Sequence, residues 1–305
     1  MNKKILIYFI LALIILSSCG NKEEKPNANN DKEKVPEELG KMQENSKTII
    51  EDIEGIMKKT EEPIFVETKK EEKKEGQEDQ SEGSESEGQG GGQEESGGGQ
   101  QQGQQQPPEP TEEKSYEEKK KEENIKKQEE IEKMWMKLEL IVSGVHTSWN
   151  NYKISAMEGG VNTKSLEATD KALNNLTINV GNKEIMTSLK EINKLIFSLA
   201  NFFDIYKGHI DGDLNRLYYT ASEVYIQSLE ESWDKAQKVA SEYEEYFSML
   251  RQKIDLEKKD EKYLNKLEVS MKDLIDSLQY QDPNLVKIKR EVVLQNIEKL
   301  NEVAK

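Results

Sequence analysis

One cysteine, Cys19, and two histidines, His146 and His209, are the residues in this sequence that most readily serve as nucleophiles, metal ligands or proton carriers. Cys19 closes the tetrapeptide Leu16-Ser17-Ser18-Cys19. Before it come Lys3, Lys4 and an unbroken apolar run from Ile5 to Leu16. That order of positive start, apolar stretch and small-residue exit is a secretory signal peptide. The run spans roughly 18 Å as a helix, short of the ~30 Å hydrocarbon core. A disulfide within the chain would need a second cysteine, and zinc would need several ligands at regular spacing. A nucleophile would need a neighbouring base and a folded pocket, whereas polar, proline-interrupted sequence follows Cys19. Leu16, Ser17, Ser18 and Cys19 together match a bacterial lipobox. Its chemistry is a thioether from the cysteine sulfur to diacylglycerol, cleavage before the cysteine and acylation of the new amine. One acyl chain holds a protein marginally and two or more hold it stably. Residues 1–18 are therefore expected as a leader, Cys19 as a lipid anchor, and that lipid as the only attached group, with no other cofactor.

The histidines stand alone. Neither has a second histidine or a cysteine nearby, so His146 reads as a boundary residue on a helix and His209 as a helix-end or turn residue, and no metal site is expected. Acidic pairs such as Glu230-Glu231 and Glu244-Glu245 are adjacent, and adjacent helical residues do not share a face. They read as solvated surface. The glycines between 83 and 103 lie in low-complexity sequence and lack the flanking strand, helix and lysine of a phosphate loop. No catalytic residue is expected, and the chain is not read as an enzyme.

Aromatic side chains are the remaining chemistry. Tyr218 and Tyr219 cannot both face one core, and Tyr243, Tyr246 and Phe247 spread over more than one helix face. Tryptophan and tyrosine anchor many protein interfaces, yet half-buried tyrosines also seal the edges of helical cores. Tyr219, Trp233 and Tyr246 are the candidate partner-binding residues.

These side chains need elements to hold them, and composition divides the chain in two. Six of the seven prolines lie at or before Pro110, and all three tryptophans lie after it. Residues 19–110 carry 12 Lys against 24 Asp and Glu; residues 111–305 carry 30 Lys and Arg against 36 Asp and Glu. Neither part is the basic platform that nucleic acid requires. Residues 19–110 read as a lipidated, low-complexity, disordered acidic tether, because they hold too little apolar surface to offset chain entropy. As a flexible coil the tether would span about 50–60 Å. Within it, Leu39, Met42, Ile49, Ile53 and Ile56 fall at helical spacing. Gly55 and the short length favour a transient helix over 39–60, with folding on a partner as the alternative.

From Thr111 onward the period is helical. Ile131, Met134, Trp135, Leu138, Ile141, Val142, Val145 and Trp149 form one stripe, ended by Gly159-Gly160. A helix capped by Asn162 or Thr163 follows. Ile185, Leu189, Ile192, Ile196, Leu199, Phe203, Tyr206 and Ile210 make a seven-residue repeat of coiled-coil type. Leu214 to Ile254 continues over about 40 residues, with a bend near 230–235 that no proline or glycine demands. Further faces run from Tyr263 to Leu278 and, after Asp282-Pro283, from Leu285 to Leu300. The expected fold class is all-α: an antiparallel helical bundle over 111–305.

The leader MNKKILIYFILALIILSSCGNK and the run EEKKKEENIKKQEEIEK ahead of a helical tail resemble those of the plasmid-encoded outer-surface lipoproteins of Borrelia, of the OspE/OspF-related (Erp, including Elp) type. The resemblance covers leader, composition and layout. It implies a lipoprotein of the cell outer membrane, held through its anchor and exposed at the surface. It also implies partners among host extracellular or complement proteins: complement regulators or components, laminin, fibronectin or plasminogen. Because plasminogen's lysine-binding modules recognise C-terminal lysines, the resemblance adds Lys305 to the candidates. The expected function is adhesion or immune evasion by protein–protein contact. A periplasm-facing structural or substrate-binding lipoprotein is the alternative. The oligomeric state is open.

Overall fold

The computed structural model describes residues 33–65 and 115–304. Nine α-helices lie among the described residues, with no strand: α1 (Glu37–Glu61), α2 (Tyr116–Glu158), α3 (Thr163–Gly181), α4 (Ile185–Phe203), α5 (Asp211–Leu229), α6 (Trp233–Ala240), α7 (Tyr243–Lys253), α8 (Glu261–Ser277) and α9 (Pro283–Val303). A 3-10 turn, Leu278–Tyr280, separates α8 from α9. None of these helices is long and apolar enough to cross a membrane. The leader, the lipobox residues Leu16, Ser17, Ser18 and Cys19, most of the expected tether and Lys305 lie outside the described residues.

The chain forms two compact units, and their boundaries fall within α1 and α2. Among the described residues the smaller comprises 56–65 and 115–134. In it, Ser115 and Glu118 exchange bonds at the start of α2, with Ser115 N donating to Glu118 Oε2 (2.8 Å) and Glu118 N to Ser115 Oγ (3.3 Å). This capping box satisfies backbone donors that the first helical turn leaves unpaired. Lys127 closes the end of α1 by donating to the carbonyls of Thr60 (2.8 Å) and Glu62 (2.6 Å). A cation is well placed there against the negative end of the helix dipole. Lys59 pairs with Glu130 at 2.7 Å.

Among the described residues the larger unit joins 33–55 with 135–304, and it holds most of the core. Its helices pack antiparallel, and cross-helix bonds fix the directions. Between α4 and α5, Lys190 meets Glu230, Asn193 meets Glu223 and Asn201 meets Arg216. Between α8 and α9, Asp273 meets Lys289 and Ser270 meets Asn296. The seven-residue repeat of α4 is buried from Leu189 through Phe203. Its expected continuation is not helical: α4 stops at Phe203, and Tyr206 and Ile210 lie in the connection to α5. Asn162 caps α3 by accepting from Ser165 N at 2.9 Å. Asp282 caps α9 by accepting from Asn284 N and Leu285 N, with Pro283 in the first turn. Both follow ordinary capping rules.

Two further expectations are corrected. The stretch from Leu214 to Ile254 is three helices, α5, α6 and α7. Its first break needs neither proline nor glycine. Glu231 takes a left-handed conformation (φ 54°), Ser232 N donates to Gln227 O (2.9 Å) and Glu231 N to Ser228 O (3.0 Å). That is a Schellman closure, built on a residue type that composition does not flag as a helix stop.

The second correction concerns α1. Expected as a transient helix in a tether, it is a packed member of the bundle. Leu39, Met42, Ile49 and Ile53 are fully buried and Ile50 is nearly so. Burial of each such side chain contributes about 1.5–3 kcal/mol relative to exposure, which overcomes the cost that leaves a lone helix marginal. The polar face is engaged as well. Gln43 Nε2 donates to Asn215 Oδ1 on α5 (2.8 Å), Lys137 on α2 pairs with Asp52 (2.9 Å), and Lys47 sits 5.4 Å from the centre of the Tyr218 ring. Arg290 of α9 is 2% exposed and donates to Glu54 of α1 (2.6 Å) and to Ser222 of α5 (3.3 Å), with its guanidinium 5.2 Å from the Tyr225 ring centre. The bundle thus includes α1, whereas the sequence pattern placed its start at 111.

Candidate partner-binding surface

Two aromatic clusters separate on either side of α4. The first is interior. Trp149 and Tyr152 of α2 meet Phe202 edge-on, with ring centres at 5.3 and 5.8 Å. Trp149 Nε1 donates to Asp170 Oδ1 (2.7 Å), and Lys153 pairs with Asp170 Oδ2 (2.6 Å). Burial pushes the Asp170 carboxyl up, but Lys153 and the Trp149 N–H outweigh it and hold it below its usual value. Tyr152 and Tyr206 share a hydroxyl contact at 3.3 Å, and burial pushes Tyr152 far up. These groups satisfy one another and seal the core.

The second cluster lies at the rim. Phe197 follows Ile196 on α4, one position off the buried stripe, and is half-buried. Its ring stands 4.6 Å from that of Tyr219 and 6.3 Å from that of Tyr246. Tyr219 is held by its backbone, whose carbonyl accepts from Asn193 Nδ2 (3.3 Å), and the same amide donates to Glu223 (2.9 Å). Tyr246 Oη donates to Glu242 Oε2 at 3.2 Å. Burial, followed by the Glu242 charge, pushes Tyr246 up to about 12; burial raises Tyr219 too, reinforced by Glu223 and Glu242. Both hydroxyls therefore stay protonated at neutral pH.

Beside Phe197 and Tyr219 runs a groove of about 370 Å³ between α3 and α4. Ala168 and Ala172, one helical turn apart, keep it open on the α3 side, because small side chains leave the space unfilled. Lys171 and Lys194 stand exposed at its edges. Glu191 is fixed within it by Lys194 (2.7 Å) and Asn175 (3.3 Å). An aromatic wall and a small-residue floor leave room for an apolar side chain, with Lys171 at one edge and the Lys194–Glu191 pair at the other.

Of the three candidates described, the structure brings Tyr219 and Tyr246 together. Trp233 is half-buried at the start of α6 and lines a separate depression with Gln281. None of the three is fully exposed: all are half-buried, and Tyr219 and Tyr246 form an aromatic rim. Phe197, Lys171 and Lys194 were not legible as site residues. The signal for Phe197 was a large aromatic directly beside a repeat position.

Several ionisable groups elsewhere have partners within the fold. His146 Nε2 meets Thr177 Oγ1 at 2.7 Å, and burial lowers its pKa. His209 Nε2 meets the carbonyl of Glu33 at 2.7 Å. Arg216 pairs with Asp204 and Asp213, and Lys253 bridges the same two carboxylates at 3.3 and 2.9 Å. Burial raises Asp204, but the two cations overcome it and lower the group; in fully buried Asp213 burial prevails and raises it. No group of three or more metal-ligating side chains is present among the described residues. No protein-family model, no curated protein and no solved structure matches the chain.

Proposed function

We propose that this chain is a lipoprotein anchored through Cys19 in the cell outer membrane, which presents its helical bundle for protein–protein contact with host macromolecules in adhesion or immune evasion. The anchor rests on the leader and on Leu16-Ser17-Ser18-Cys19. The observation that carries the binding role is the rim cluster of Phe197, Tyr219 and Tyr246 beside a groove edged by Lys171 and Lys194. Aromatic side chains held rigid at a surface offer contact area at little entropic cost, which is what interface hot spots provide.

With α1 in the bundle, Cys19 lies only fourteen residues before Glu33. That contour reaches at most about 50 Å. The 49 residues from 66 to 114 become a connection between two helices.

Immobilised laminin, fibronectin, plasminogen and complement components test the reading against the full chain. Binding to one of them, weakened roughly tenfold or more by Tyr219→Ala with Tyr246→Ala, is the expected result. Removal of Lys305 tests the separate lysine-module contact with plasminogen. Resistance of the chain to protease applied to intact cells would sink the surface reading and leave the periplasm-facing one.

A further inference from the structure

We infer that the bundle is held to its anchor by packing as well as by the peptide chain: α1 is a helix seated in a groove lined by α2, α5 and α9, and it keeps the rest of the bundle bound after the 66–114 connection is cut. The inference rests on the proposed lipid at Cys19 for its membrane consequence, and on the structure alone for the packing.

Three observations carry it. The stripe Leu39, Met42, Ile49, Ile50 and Ile53 is buried along the whole part of α1 that belongs to the larger unit. A helix that lays such a face into a groove is a standard recognition mode, with anchors at helical spacing. The polar contacts are directional and reach three different elements. They are Gln43 to Asn215 on α5, Asp52 to Lys137 on α2 and Glu54 to Arg290 on α9. Departure of α1 would break the pair of Glu54 with Arg290 along with the rest of this polar set. At the start of α1 the entering chain is also fastened. Glu33 N donates to Lys207 O (3.2 Å), Lys207 N donates to Glu33 Oε2 (3.2 Å), and His209 meets Glu33 O. The two sides of this interface are joined only through a long connection, so the occupant of the groove is already defined: residues 33–55 of the same chain.

The test uses the full lipidated chain in membranes, with a site for a sequence-specific protease inserted between Gly91 and Gly92. After complete cutting, membranes are pelleted. Retention of most of the C-terminal fragment in the pellet is the expected result. Release of most of it to the supernatant, with the uncut chain still pelleting, overturns the inference. If the uncut chain itself fails to pellet, the anchor reading has failed instead; the packing is then read from co-elution of the two fragments on gel filtration, where separate elution overturns it. Ile53→Asp should raise the released share roughly tenfold or more after cutting, because it places a charge in the groove. Should that variant fail to accumulate, the unsubstituted cut chain decides the question alone.

Discussion

The interior cluster of Trp149, Tyr152 and Phe202 and the rim cluster of Phe197, Tyr219 and Tyr246 are both built around α4 from the same kinds of residue, at similar ring separations. They differ in what surrounds them. The interior rings are closed over on every side, and the polar atoms of Trp149 and Tyr152 have internal partners. The rim rings are half-buried and border an open groove. The first cluster is built for stability and the second leaves surface that another protein could cover.

The sharpest way to break this contrast is to truncate one ring in each cluster. Phe202→Ala should destabilise the bundle by about 3–5 kcal/mol in urea unfolding, the usual cost of emptying a closed aromatic site. Tyr219→Ala should cost less, roughly 1–2 kcal/mol, because solvent and neighbours refill a site at the rim. Equal losses would make the rim cluster ordinary core.

Asp170→Asn probes the polar edge of the interior cluster. Solvent screens the part-exposed pair with Lys153, so the loss at pH 7 should be about 1 kcal/mol. The native Asp170 pKa lies below 3.8, so its contribution is present above that value and fades as pH falls through the native pKa. Acid unfolding curves of variant and parent should therefore converge at low pH. The smallest effect belongs to Tyr246→Phe, about 0.5 kcal/mol or less near neutrality. Here the native pKa is raised from 10.0 to about 12. The stability linked to it is present below pH 10 and is lost as pH rises from there towards 12, so the variant should lose less over that window in alkaline unfolding.

The sequence made some of this visible. The repeat through Ile185 to Phe203 marks α4 because period and burial agree there. The apolar positions of α1 were equally plain, yet their fate was not. Periodicity shows that a helix has a face, and it says nothing of whether a distant element covers it. The low-complexity stretch that follows made a tether the natural reading. The stop at Glu231 was hidden for another reason, since a Schellman closure depends on backbone conformation that glutamate rarely takes. At the rim, Tyr219 and Tyr246 stood out as surplus aromatics. Lys171 and Lys194 did not, because lysine coats nearly every helix here and only the fold selects which two flank a groove.

The placement of α1 has a consequence for biosynthesis. Glu54 meets Arg290, 236 positions later in the chain. At the usual 5–20 residues per second, about 12–50 s pass between the synthesis of those two partners. The helix made first is completed last: its contacts with α2 and α5 can form earlier, and those with α9 wait for the end of the chain. Contacts of such long sequence separation are costly to close and slow folding.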